Sequence, residues 1–167
     1  VSVLNRARRV RDSINNTILR KKSIECTKRI YEQRYKGKWV ALLPSDVFGP
    51  LAQFFGLHWR YCVAHNLDMF EDVVLVRPSH CVSDSLLTMI SRVSSVVEDD
   101  EFYKSIQTGG YSFLEDSGFL IPSNYDNGFV FAEAFPCPLT FSDEEDAYGR
   151  SLLKKIKVNP DLPYVPV

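Results

Sequence analysis

Five side chains able to bind a metal or act as nucleophile or base lie between positions 58 and 81: His58, Cys62, His65, His80 and Cys81. His58, Cys62 and His65 are spaced by four and then three, so a helix would carry them on one face. Imidazole nitrogen and thiolate sulfur are zinc ligands, and a cysteine beside a histidine is the start of a thiolate–imidazolium pair. Neither zinc-finger spacing nor HExxH is present. The same helical face carries Val47, Leu51 and Phe55, which marks it as core-facing. Buried cysteine and hydrogen-bonded histidine are common on such a face. The expectation is a structural stripe, with no catalytic residue, no metal and no cofactor. The alternative is a small Cys/His-dependent hydrolase or zinc-binding protein built on these five residues.

Other catalytic and nucleotide-binding patterns are missing. There is no GxSxG elbow, no Walker A sequence and no GxGxxG. The carboxylates cluster at Glu98–Glu101 and Asp143–Asp146, where helix capping and solvation account for them. Cys26, Cys62, Cys81 and Cys137 form no CxxC pair and read as buried thiols rather than a disulfide framework.

The strongest signal is electrostatic. Net charge is −1 over 167 residues, but residues 1–38 hold twelve Lys or Arg against three acids, a local +9, which leaves −10 on the remainder. Such a split suggests an interaction segment on an acidic body. Arg6, Arg8, Arg9, Arg11, Arg20, Lys21, Lys22, Lys28 and Arg29 are the candidate binding residues. A helix bearing them can neutralise phosphates and release counterions, or dock on an acidic protein surface. Only Tyr31 and Tyr35 interleave the run, too few for a base-stacking platform, so phosphate contact is expected over base reading.

The elements that must position these groups follow from periodicity. Val3, Ala7, Val10 and Ile14 recur at helical spacing and are expected to hold the arm against the body. Asn15-Asn16-Thr17 and Arg20-Lys21-Lys22 weaken that pattern, and Ser23 can cap a new start. Two helices, or one long kinked helix, should end near Gly37. Trp39–Leu43 reads as a buried strand, 48–66 as a helix and Asp72–Val76 as a strand. Asp84 is expected to cap a helix carrying Leu86, Leu87, Ile90, Val93 and Val97 on its apolar side. A further helical turn should reach Gln107, where Gly109-Gly110 breaks the chain. Tyr111–Leu114, Gly118–Ile121 and Phe129–Phe135 read as strands, the last two joined as a hairpin through Asp126-Asn127-Gly128. Ser142 and Glu145 match a capping box, with acids at one end of that helix and Lys154, Lys155 and Lys157 at the other.

The resulting expectation is an α+β single domain: a small, mainly antiparallel sheet packed against several helices, with a basic N-terminal helical arm. Its parts are the arm at 1–37, the body at 38–158 and a Pro-rich extended tail at 159–167. The function expected is that of a non-enzymatic binding or assembly protein, of the kind found among viral and ribonucleoprotein assembly subunits. Its partner would be nucleic acid, RNA ahead of DNA, or an acidic protein surface. Aromatic density across 48–70 and the charge split point to a homo-oligomer. No apolar run suits a membrane span, and the Arg-rich start lacks the apolar stretch of a secretion signal, so an intracellular, cytoplasmic location is expected.

Overall fold

A computed structural model describes residues 3–44, 48–122 and 138–155, with side chains from residue 11 onward and excepting residue 48. Two compact units divide the chain, 1–137 and 138–167.

The first unit begins with one uninterrupted helix, α1, Val3–Ile30. Residues 3–35 contain no Gly or Pro, and the Asn15-Asn16-Thr17 stretch is only mildly unfavourable to helix. Ser23 therefore caps nothing and lies mid-helix, and the two-helix or kinked reading gives way to a single rod about 42 Å long. A π-helical turn, Tyr31–Tyr35, continues the rod and turns both tyrosines inward. Gly37, at φ +81°, then ends it in the left-handed conformation expected of a glycine terminator.

Three strands follow: β1 Trp39–Leu42, β2 Val73–Arg77 and β3 Val96–Glu98. They pair in the order β1-β2-β3, and both pairings are parallel. The mainly antiparallel expectation is thus overturned, and the fold is helices and parallel strands in alternation. The physical reason lies in the connections. β1 reaches β2 through α2, Phe48–Ala64, and β2 reaches β3 through α3, Asp84–Ser91. A helical crossover returns the chain to the same end of the sheet and enforces parallel pairing. Val97 belongs to β3, not to the apolar side of α3. Ser83 caps α3, accepting from the Leu86 amide at 3.3 Å, in place of the expected Asp84.

After β3 come two short helices, α4 Asp100–Ser105 and α5 Tyr111–Asp116, joined by a second π-helical turn at Ile106–Gly110 that is kinked at Gly109. Tyr111–Leu114 is accordingly helical rather than a strand. Gly109, at φ 166° and ψ −12°, is non-helical and kinks the chain between the helices, so Gly109-Gly110 interrupts the helix as expected; it also permits close approach. A Cβ on Gly110 would lie 1.8 Å from Thr27 Oγ1, and one on Gly109 would lie 3.2 Å from the Arg20 backbone. Those two glycines let α1 settle onto the turn. Beyond α5, Leu120 makes a parallel bridge to Val40. The Val40 amide donates to Phe119 O at 2.7 Å, and the Ile121 amide donates to Val40 O at 2.9 Å. This bridge sits on the edge of β1 opposite β2. The expected hairpin partner Phe129–Phe135, its turn and the tail at 159–167 lie outside the described residues.

Strand alternation divides the core. Val40, Val74 and Val76 cluster with Ile30, Tyr31, Tyr35, Phe102, Ile106 and Leu114 from α1, α4, α5 and the two π turns. Ala41, Leu43, Val73 and Leu75 are buried outside that cluster, as are Leu51 and Phe55 of α2 and Ile90 of α3. The right-handed rule for parallel crossovers, applied to two in the same direction, assigns α2 and α3 to that second face. No helix among the described residues is long and apolar enough to cross a membrane.

The second unit is described over one helix, α6, Asp143–Lys155. Its capping box forms as the sequence predicts: the Ser142 amide donates to Glu145 Oε2 at 2.7 Å, and the Glu145 amide donates to Ser142 Oγ at 3.3 Å. Acids fill its first turn and Lys154 and Lys155 its last, in line with the helix dipole.

Candidate functional site

The His/Cys residues do not converge. His58 and Cys62 are buried on α2, but His65 and His80 are exposed and Cys81 is half-buried. His65 lies against the Tyr61 ring, centroids 4.2 Å apart, and Cys81 Sγ donates to Ser83 O at 3.4 Å. No group of three His, Cys, Asp or Glu comes within joint reach of a metal ion among the described residues. His58 Nε2 lies 3.0 Å from Leu42 O, so it carries the proton and donates; Nδ1 is then a bare acceptor with no hydrogen-bond partner among the described residues. Burial pushes the His58 imidazole down to about 4, only partly offset by its bond to the Leu42 carbonyl. Burial, with help from the charge of Asp72, pushes the Cys62 thiol up to about 12. A nucleophilic pair needs the opposite of both shifts. Leu51 and Phe55 are fully buried on the same helix, as expected of a core-facing stripe; Val47 lies outside the described residues. Among the described residues, His58, Cys62, His65, His80 and Cys81 are not brought together into one nucleophile–base pair or ligand set.

The basic segment divides in two. Toward its C-terminal end, α1 docks on an acidic edge that starts at the end of β3. Arg34 Nη1 donates to Asp99 Oδ2 at 2.8 Å, and the Tyr35 hydroxyl donates to the same oxygen at 2.8 Å. Asp99 Oδ1 meanwhile accepts from the Phe102 amide at 3.0 Å and caps α4. Burial works against the charge on Asp99, but the amide, the hydroxyl and the guanidinium outweigh it and hold the carboxyl below its ordinary range. Arg29 reaches Glu101 at 2.8 Å. Beneath these pairs, Ser105 donates to Phe102 O, so Thr27 must donate to Ser105 Oγ, at 2.8 Å. Tyr35 stacks on Phe102, centroids 4.8 Å apart. The Glu98–Glu101 cluster is thus largely an intramolecular dock, and Arg29 is committed to it. Asp99 as an α4 cap was readable from Asp99-Asp100-Glu101 ahead of Phe102. Its pairing across the chain with Arg34 and Tyr35 had no local signature.

Toward the N-terminal end, every residue from 11 to 22 is exposed. Ile14 is 54% exposed, Ile18 47% and Leu19 55%, so the expected docking of the Val10–Ile14 stripe on the body does not occur at Ile14. Arg11, Arg20, Lys21 and Lys22 stand on this segment, and Lys28 is exposed further on. None of these five makes an ion pair among the described residues. Arg6, Arg8 and Arg9 continue the helix toward its start, where the backbone alone is described. The helix presents cations in two groups, Arg11 and its predecessors, then Arg20–Lys22. Arg20 lies nine positions beyond Arg11, about 14 Å along the axis. Side chains so placed can meet several phosphates or carboxylates at once, and they offer no acid–base chemistry. Matched against family models, curated proteins and solved structures, the chain finds no counterpart in any of the three comparisons.

Proposed function

We propose that the chain is a non-enzymatic binding or assembly protein whose exposed helical arm contacts nucleic-acid phosphates, RNA ahead of DNA. The observation that supports this reading is the unbroken exposure of residues 11–22 with Arg11, Arg20, Lys21 and Lys22 outside any ion pair among the described residues. Cations that served only to fix the fold would be paired as Arg29 and Arg34 are. The site residues are Arg6, Arg8, Arg9, Arg11, Arg20, Lys21, Lys22 and Lys28, with Arg29 contributing where it is not held by Glu101. Binding is electrostatic and indifferent to sequence, because phosphate contacts position without specifying.

The test is affinity for single-stranded RNA and duplex DNA across salt. With about five phosphates engaged, log Kd against log salt should have a slope magnitude of about 3.5 for single strands and 4.5 for duplex. Gln at Arg11, Arg20, Lys21 and Lys22 keeps the helix and should lower the slope by about 0.7–0.9 per lost contact. No binding at tens of millimolar salt would defeat the nucleic-acid reading and leave docking on an acidic protein surface. That second reading has its own support: the same helical rod already seats Arg29 and, in its π turn, Arg34 on carboxylates of its own chain. Sedimentation of the wild type and the Gln variant would then show whether the acceptor is a second copy.

A further inference from the structure

A pocket of about 150 Å3 opens at the carboxyl ends of β1 and the Leu120 bridge. Topology places it there. From β1 the chain crosses to β2 on one side, and from β3 it returns to Leu120 on the other. The two connections diverge at the end of β1, and in parallel sheets that divergence opens the crevice where ligands bind. Leu42 and Pro44 line it from β1, Leu120 and Ile121 from the bridge. Phe54 reaches it from α2, while Tyr103, Gln107 and Tyr111 reach it from the returning crossover on the other face of the sheet.

The lining selects its occupant. Among the described residues it contains no charged side chain. An ionised ligand would lose its hydration there without a counter-charge, at a cost of several kcal/mol. Three of the walls are aromatic rings, which favour a flat partner in offset or edge contact. Apolar cavities of about 150 Å3 hold one benzene-sized ring. Gln107, exposed at the mouth, brings a side-chain amide that both donates and accepts.

We propose that this pocket binds a single uncharged aromatic ring whose polar edge is hydrogen-bonded by the Gln107 amide. Phenols and pyrimidine bases share that chemistry. The inference is independent of the basic arm, since among the described residues no candidate arm residue lines the pocket.

The experiment titrates phenol, uracil and benzene into the protein while methyl resonances of Leu42, Leu120 and Ile121 are followed by NMR. A polar-edged ring should saturate those methyls with a Kd on the order of 1 mM, the strength open to so small a ligand. The tighter of phenol and uracil identifies the source. Gln107→Met should weaken that ring about fivefold, the worth of one hydrogen bond, and leave benzene within about a factor of two. Tyr111→Trp, at the half-buried rim, should close the pocket to every ring while the melting temperature stays within a few degrees. Absence of saturable shifts from either polar ring, or equal weakening of phenol and benzene by Gln107→Met, would overturn the proposal. Gln107→Met decides it even if Tyr111→Trp does not fold.

Discussion

Residues 11–22 and residues 24–35 belong to one continuous helical rod, both halves are rich in cations, and they have opposite fates. In the second half, Thr27, Ile30, Tyr31 and Tyr35 are buried, and Arg29 and Arg34 close over them onto Glu101 and Asp99. In the first half nothing is buried, and the apolar Ile14, Ile18 and Leu19 are as open to solvent as the cations beside them. Charge alone did not separate the halves. What separates them is a partner surface: the Gly109-Gly110 turn, whose missing Cβ atoms admit α1 at Arg20 and Thr27 and nowhere earlier among the described side chains. Arg29 and Arg34 are paired where the helix is gripped, while Arg11, Lys21 and Lys22 stand outside any ion pair among the described residues where it is not.

Asp99 is the group on which the gripped half most depends. Asp99→Ala removes the α4 cap, the Arg34 pair and the acceptor for the buried Tyr35 hydroxyl. Cap loss and one unsatisfied buried hydroxyl together should cost about 3 kcal/mol in chemical denaturation. A loss below about 1 kcal/mol would erase the distinction between the two halves of α1.

Acid titration sharpens the same contrast by separating this anchor from the other face of the sheet. His58 is held near 4 against an ordinary 6.5, so the unfolded chain binds the proton first. Its contribution is complete above pH 6.5 and is lost as pH falls toward 4, by roughly 3 kcal/mol. Asp99, depressed below the usual carboxylate range, keeps its contribution through that window and loses it only as pH falls through its lower folded value. His58→Gln keeps a donor for Leu42 O and should flatten stability between pH 6.5 and 4. A slope unchanged by that substitution would place the acid sensitivity elsewhere.

Gly110→Ala tests the grip directly. The new methyl meets Thr27 Oγ1 and disturbs its bond to Ser105. Overpacking of this kind should cost about 2 kcal/mol, and Thr27→Ala should recover only part of it, because it removes Oγ1 and Cγ2 but keeps Thr27 Cβ, 2.5 Å from the new methyl.

Much of this fold was legible from the sequence as local pattern, and little of it as pairing. Trp39–Leu43, the α2 helix, Asp72–Val76 and the Ser142–Glu145 capping box stand where period and cap chemistry put them. β3 escaped because its three residues, Val96–Glu98, are too few to show alternation and extend an apolar run that starts in α3. With β3 hidden, nothing in the sequence demanded a second parallel crossover, and Tyr111–Leu114, which suits strand or helix alone, was free to be misread. The basic arm was visible as composition. Its division was not, because the surface that grips half of it lies some 80 residues further along the chain, at Gly109-Gly110.

The smallest effect expected falls on the free half and tests its freedom. Replacing Ile14, Ile18 and Leu19 with Ala should change global stability by no more than about 0.5 kcal/mol each, although these are among the larger apolar side chains of α1. A buried Ile or Leu truncated to Ala would cost about 2–5 kcal/mol, so the contrast with Ile30→Ala, fully buried in the same rod, is wide. Ala also exceeds Ile and Leu in helix propensity, which pushes the sign toward slight stabilisation. Native-state hydrogen exchange should report the same division: amides of 11–19 opening with low free energy as the rod frays, amides of 27–35 protected close to the global value. If the three Ala substitutions instead lower stability by several kcal/mol in a concentration-dependent manner, the exposed isoleucines are covered by a second copy in solution. The free half would then be an assembly surface first and a polyanion surface only along its remaining cationic side.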